Sequence, residues 1–407
     1  MTFYGAVIIA FGMALAIAAA RREQKLGGAL MAPIALYVWH TAMVVAYWVF
    51  AQYSLVDATY YFDNGSIGDL PGVGTDLIMW TTGALRTVMP GATMLDVFFV
   101  YGLFGYVGLI VFLRTASSLT GAAYASIRRW IYLCAFLPGL SFWSAAIGKD
   151  APMFLGVQLV IWGICRPGRR WPAIAVGFAL AFLIRPHIAV AMGAAAGLAL
   201  VFSSGVNIKV RLAAIASMAL LAVAAVPFAA HYLSIQSLDR ESLESYVFAE
   251  QHDLEIGGSA VDLSSYPFPI KLFTYLYRPS LIEARSGTAL LAAIENTVEL
   301  GLTLVLAFNI PKGWRLVRRM PALAFCVAFF FIGAGASALM TANLGMAVRQ
   351  KEQFMPCMFL LLTTFLAARA WQLRSAAPIS RPQGARRSAR SAGNALPAGV
   401  RGLAPDA

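Results

Sequence analysis

Three groups of charged residues lie against long apolar runs and have the types and spacing for chemistry. The first is Asp57-Ala-Thr-Tyr60-Tyr-Phe-Asp63, which brings two carboxylates and a tyrosine into one short stretch. Two such carboxylates can hold a divalent cation (Mg or Mn), with Asp57 as the leading ligand, or one can take the proton of a sugar hydroxyl. The second is a set of cations at the edges of apolar runs: Arg86, Lys149, Arg185, Arg278, Arg285, Arg349 and Lys351. Ammonium and guanidinium groups in that position suit phosphate or pyrophosphate, through charge and paired N–H donors. Asp150 adjoins Lys149, and His187, two residues past Arg185, is a candidate base. The third group runs from Arg278 and Glu283 to Glu295 and Glu299. The last two are four residues apart and share a helical face, and acids within apolar segments face a partner or a cavity. Asp57, Asp63 and Asp150 are thus the catalytic candidates. Lys149, Arg185, Arg278, Arg349 and Lys351 are the candidate phosphate ligands, with Tyr60, His187, Glu283 and Glu295 in support.

The elements that must position these residues are membrane helices. The chain has 407 residues, 60% of them hydrophobic and 12% charged, with a mean hydropathy of +0.71. A soluble domain carries roughly twice that share of charge. Apolar segments at about 3–20, 28–51, 97–114, 129–147, 152–165, 172–184, 188–203, 212–230, 287–308, 321–342 and 354–372 predict an all-α polytopic bundle of about 11 spans. The pairs 129–147/152–165 and 172–184/188–203 are short enough to be re-entrant hairpins instead. Met1–Ala20 lacks a basic leader and runs directly into Arg21-Arg22, so it reads as a retained first helix.

Loop charges orient the bundle. With the N-terminus outside, the inner segments collect Arg21, Arg22, Lys25, Arg114, Arg128, Arg129, Arg166, Arg169, Arg170, Lys209, Arg211, Lys312, Arg315, Arg318, Arg319 and a basic tail. These are most of the chain's 31 Lys and Arg, as the positive-inside rule requires. The net charge of +12 is therefore a matter of topology and lipid contact, not of nucleic acid. Residues 1–374 form the helical domain, with outer loops at 52–96 and 231–286. Within the first loop, Thr75–Arg86 has the spacing of a short amphipathic helix. Residues 375–407, rich in Ala, Arg, Pro, Ser and Gly, are a disordered cytoplasmic tail by composition. Phosphate-binding loops, dinucleotide fingerprints, HExxH, GxSxG and CxxC are all missing from the sequence. The energy for any reaction must then lie in an activated substrate.

Several short motifs resemble those of known proteins. Asp57-x-x-Tyr60 in an outer loop is similar to the acidic motif of GT-C glycosyltransferases. Phe142-Trp143-Ser144…Gly148-Lys149-Asp150, Ile184-Arg185-Pro186-His187, Arg278-Pro279…Glu283-Ala284…Glu295-Asn296 and Asn343-Leu344-Gly345…Arg349-Gln350-Lys351 resemble motifs of bacterial envelope-polysaccharide membrane proteins, polymerases included. The resemblance spans about residues 50–355. It implies a multi-pass inner-membrane enzyme using a polyprenyl-(pyro)phosphate-linked sugar donor and a glycan acceptor at the outer face, alongside polysaccharide-assembly machinery. One departure stands out: the acidic motif follows the second span rather than the first, and no outer soluble domain follows the bundle. A Wzy-type polymerase is the close alternative, and a lipid-linked glycan transporter or flippase is a third. A metal at the loop acid would mark the first, reliance on arginines the second, and polar residues along the whole path the third.

Overall fold

The computed structural model describes residues 2–54, 56–68, 71–204, 206–213, 215–216, 260–261, 263 and 265–376. The expected span 212–230, the acidic half of the second outer loop and the tail beyond 376 fall largely or wholly outside these residues. The chain divides into two units, Met1–Trp371 and Gln372–Ala407, and the helical bundle is the first of them.

Among the described residues the bundle is all helix, with one isolated bridge between Ala260 and Asn343. In order come α1 (Phe3–Lys25), α2 (Ala32–Tyr53), α3 (Asp57–Asn64), α4 (Thr75–Val88), α5 (Met94–Thr120), α6 (Tyr124–Ala135), α7 (Pro138–Trp143) and α8 (Asp150–Ile164). Then follow α9 (Pro167–Ile184), α10 (Pro186–Phe202), α11 (Phe268–Tyr277), α12 (Gly287–Arg319), α13 (Pro321–Met340), α14 (Leu344–Lys351) and α15 (Met355–Ala376). Among the described residues five helices, α1, α2, α5, α12 and α13, are long and apolar enough to cross a membrane. Shorter apolar helices occupy Asp150–Ile164, Pro186–Phe202 and Met355–Arg369. Among the described residues, then, five of the eleven expected spans have full crossing length, while 212–230 lies largely outside those residues and 354–372 falls in α15. Of the rest, 129–147, 172–184 and 188–203 are interrupted or bounded by proline breaks.

The segment 129–147 is not one span. It ends as α6, breaks at Phe136–Leu137 and restarts as the six-residue α7. Pro138 sits at the first position of α7, where its missing N–H costs nothing, and it forces Leu137 out of helical geometry (φ −57°, ψ 131°). The segments 172–184 and 188–203 form α9 and α10, separated only by Arg185. That residue precedes Pro186 and adopts φ −142°, ψ 84°. A broken backbone inside a bundle frees polar groups that only protein partners can satisfy. The charged residues lie at these breaks.

Hydrogen bonds mark the two ends of the bundle. At one end Asp96, fully buried, accepts from the Thr2 N–H and hydroxyl (both 3.0 Å) and from the Thr93 N–H and hydroxyl (2.7 and 2.6 Å). This closes the capping box of α5 and fastens the start of α1 to it. The Gly74 N–H, bonded to the Leu183 carbonyl at 2.8 Å, brings the loop before α4 to the end of α9 on the same side. At the opposite end the buried Glu23 accepts from the Tyr124 and Tyr132 hydroxyls, and Ser204 bonds the Arg318 carbonyl. Between the ends, α8 packs against α5 and α9, and α10 against α13. Gly156 and Gly177 let α8 and α9 touch: a Cβ at Gly177 would fall 2.5 Å from the Gly156 carbonyl oxygen. The apolar core runs through α5, α8, α13 and α15. A second cluster of Tyr47, Tyr61, Phe98, Ala145, Ile147 and Ala151 floors the end that carries Asp96.

Removing the Asp96 carboxylate leaves four donors without their acceptor and removes the reciprocal half of the α5 capping box. Asp96→Ala should lower stability by about 2–4 kcal/mol, read as a fall in the thermal midpoint in detergent. A variant as stable as the parent would refute the assigned role.

Candidate functional site

Asp150 is the first residue of α8, and the pre-proline break sets Arg185 beside it. Arg185 Nη2 lies 2.8 Å from Asp150 Oδ1. Arg349, in the last turn of α14, reaches the other oxygen: its Nε is 2.5 Å from Asp150 Oδ2, and its Nη1 is 2.9 Å from Asp57 Oδ2. The result is an alternating chain, Arg185–Asp150–Arg349–Asp57. It ties the α9–α10 break, α8, α14 and α3 together across nearly 300 residues of sequence. The side chains of Asp150 (12% exposed) and Arg349 (17%) are shielded, whereas Asp57 (54%) faces solvent.

The electrostatics follow from that burial. The charge of Asp150 beside it holds the Arg349 guanidinium above its already high range, against the burial that opposes it. Asp150 shares its charge between two guanidinium groups, which weakens it as a base. The ammonium of Lys149, next door and half-buried, makes no hydrogen bond or ion pair among the described residues. Burial, and then the positive charge of Arg185, push its ammonium below the ordinary lysine range. Counting Asp57 and Asp150 against Arg185, Arg349 and Lys149 leaves one positive charge in excess. The cluster thus carries a net positive charge, with an exposed carboxylate at its rim. Below Asp150, Phe142 and Trp143 pack on Tyr47 at ring distances of 4.7 and 5.8 Å, which anchors the segment that delivers Lys149.

The other expected residues fall elsewhere. Tyr60 and Asp63 are exposed on α3, and Asp63 makes no ion pair among the described residues. A helix turns about 100° per residue, so positions 57 and 63 leave α3 on different faces and form no paired carboxylates. His187 is exposed in the first turn of α10, and among the described residues it has no hydrogen-bond partner to orient it. Arg278 is committed to Glu283, which also accepts the Ser280 N–H at 2.7 Å. The hydrogen bond from Arg278 holds the Glu283 carboxyl down to about 2. These two residues close a loop rather than join the Asp150 chain.

Lys351 does not bind an outer-face phosphate from where it lies. Its side chain is 1% exposed and points into the bundle. Its ammonium donates to Glu299, to Asn296 Oδ1 (2.5 Å) and to the Leu276 carbonyl (3.1 Å). The reason is helical phase: residues two apart, such as Arg349 and Lys351, leave opposite sides of α14. Glu295 accepts the Gly139 N–H of α7 on both oxygens (2.7 and 2.8 Å), and Asn296 Nδ2 donates to the Pro279 carbonyl at 2.9 Å. Asn343 caps α14 by accepting from the N–H groups of Gly345 and Met346. Glu295, Glu299 and Glu352 offer carboxylate oxygens within 4.8 Å of one another, so among the described residues the acids grouped at metal-holding distance lie inside the bundle, not at Asp57. Glu352 and Gly139 are not among the residues that sequence reasoning selects. Their signals were an acid at the margin of an apolar run and a Pro-Gly pair interrupting one.

Fold and site together define a helical bundle with membrane-spanning character, carrying a partly shielded ion-pair chain at one end. Comparison of the chain with protein-family models, with curated proteins and with solved structures finds no match.

The unpaired lysine and the shared carboxylate each have a measurable consequence. The attraction Lys149 exerts on an anion is present below its folded pKa and is lost as pH rises through it. Pyrophosphate binding should therefore weaken at a pH below the ordinary lysine range, and Lys149→Arg should move that alkaline limb upward. An unmoved limb would discount Lys149. Separately, Asp150→Ala strands two arginines and should cost about 3–5 kcal/mol. Asp57→Ala, which breaks an exposed contact, should cost less than about 1 kcal/mol. Denaturation midpoints of the two variants check the contrast.

Proposed function

We propose that this protein is an integral-membrane glycosyltransferase that uses a polyprenyl-(pyro)phosphate-linked sugar at the outer face of the bacterial inner membrane, in envelope polysaccharide assembly. The observation that carries the reading is the unpaired, half-buried Lys149 beside the Arg185–Asp150–Arg349–Asp57 chain. An excess cation in a shielded setting is what a (pyro)phosphate leaving group needs. The basic loops gather at the opposite end of the bundle, which would put the Asp57–Arg349 end outside and the C-terminus in the cytoplasm.

In the reaction, the acceptor hydroxyl oxygen forms a bond to the anomeric carbon of the donor sugar. The bond from that carbon to the phosphate oxygen breaks, and the polyprenyl (pyro)phosphate departs with the bonding electrons. Lys149 and Arg349 offset the charge that grows on the departing oxygen. Asp57, exposed and with Oδ1 free of Arg349, takes the proton of the acceptor. Asp150 holds both arginines in register.

One observation favours the polymerase-type form over a metal-dependent GT-C form. Asp57 is tied to Arg349, which stands between it and Asp150, and among the described residues it belongs to no group of three acids within metal-holding distance. A Wzy-type polymerase leans on arginines in this way, transferring a growing glycan between lipid carriers.

Purified protein in detergent, given a lipid-linked repeat unit, should yield longer glycan. Lys149→Ala and Arg349→Ala should each lower kcat by about 10²–10³-fold. Arg349→Lys should not restore it, because an ammonium cannot bridge two carboxylates as the guanidinium does. Full turnover in all three would remove the site from consideration. In a deletion strain, single repeats should accumulate on the lipid carrier, and a truncated repeat would point to a single-sugar transferase instead.

A further inference from the structure

We propose that Glu295, Glu299 and Glu352 form a binding site for one divalent cation of the Mg, Ca or Mn class inside the bundle, separate from the Asp57–Arg349 chain. The proposal is independent of the transferase reading.

Their geometry suits a single ion. One oxygen from each of the three residues lies within 4.8 Å of the others. Hard cations bind oxygen at about 2.0–2.6 Å, so ligands on opposite sides of one ion stand about 4–5 Å apart. The donor set is all carboxylate, which selects Mg, Ca or Mn over the thiolate- and imidazole-seeking metals.

A second observation points to a missing ligand. Glu352 is 5% exposed, and neither of its carboxylate oxygens has a hydrogen-bond partner. Glu299 is fully buried, and its Oε1 is likewise without one. Three acceptor oxygens are thus buried and unmet, although polar groups in such places are normally satisfied. Lys351 supplies one positive charge, through Glu299. Three carboxylates against one ammonium leave two negative charges in a low-dielectric interior, which is costly until a counter-charge enters. One divalent cation cancels both and engages the unmet oxygens together.

The backbone at Gly139 comes close to the Glu295 and Glu352 side of the cluster and tolerates no side chain there. Gly139 has no side chain where a Cβ would fall 2.8 Å from Glu352 Oε1 and 2.9 Å from both Glu295 oxygens. Its N–H meanwhile holds Glu295 in place from the first turn of α7. The cation would join α7, α12 and the α14–α15 turn, three pieces whose continuity the chain itself interrupts.

The test uses the full-length protein in detergent, stripped with chelator and titrated with Mn²⁺ by calorimetry and spin resonance. About one ion per chain should bind and raise the thermal midpoint. Glu352→Gln, nearly isosteric, should weaken binding by at least the roughly 10–100-fold that loss of an outer-shell partner costs. Gly139→Ala should weaken it as well, by pushing the Glu295 and Glu352 carboxylates apart, while Asp57→Ala should bind as the parent does. Elution volume and metal-free midpoint establish that each variant is folded. The proposal is overturned if the parent binds no Mn²⁺ saturably, as it would if protons alone neutralise the cluster. It is equally overturned if binding survives Glu352→Gln or is lost in Asp57→Ala.

Discussion

The shared carboxylate of Asp150 is the constraint on which the site end of this bundle depends. Each oxygen is bound to a different guanidinium, and each guanidinium comes from a different break in the helical framework. Arg185 sits between two helices because a proline follows it, and Arg349 lies on a short helix that no span could accommodate. Shielded charges of this kind give little net stability, because desolvation consumes most of the attraction. Losing one partner is far more costly than the pair is worth. The chain is therefore better understood as a device that fixes position. It holds Asp57, on a separate surface helix, in register with a lysine that has no ion-pair partner of its own.

Two polar layers share the same short helix. Arg349 turns toward Asp150 and Asp57, while Lys351 turns the opposite way toward Asn296 and Glu299, and Glu352 comes next at the turn into α15. The segment 138–150 makes a parallel connection, with Gly139 bonded to Glu295 at its start and Asp150 in the outer chain at its end. Two interrupted segments thus span both layers. Irregular backbone at this depth is tolerated because protein groups meet its needs. Here the groups that do so are Glu295, which accepts the Gly139 N–H, Asn296, which donates to the Pro279 carbonyl, and Lys351, which donates to the Leu276 carbonyl.

The residues of the distributed motifs divide accordingly. Lys149, Asp150, Arg185 and Arg349 come together. Arg278 with Glu283, Asn296 with Pro279, and the Asn343 cap serve instead to close loops and begin helices. All were equally visible in the sequence as polar residues at the margins of apolar runs. Nothing in their spacing separates the two uses, since a charged residue beside an apolar run is required in either case.

Composition and the lengths of the apolar runs together marked the chain as helical and apolar enough to span a membrane. A 60% hydrophobic content cannot be reconciled with a solvated surface, and in hydrocarbon only helices and closed barrels satisfy their own backbone. Residue type and placement likewise marked Lys149, Asp150, Arg185 and Arg349 as candidates. Where an expected span is cut, as at Leu137–Pro138, hydropathy registered the apolar run but not the proline that breaks it. Only the tertiary structure decided which charges meet. Asp57 and Arg349 stand 292 positions apart, and Lys351 belongs to a different layer from Arg349 two residues away. Contact between charges depends on helical phase and on packing across the bundle, and neither quantity is carried by any single stretch of chain.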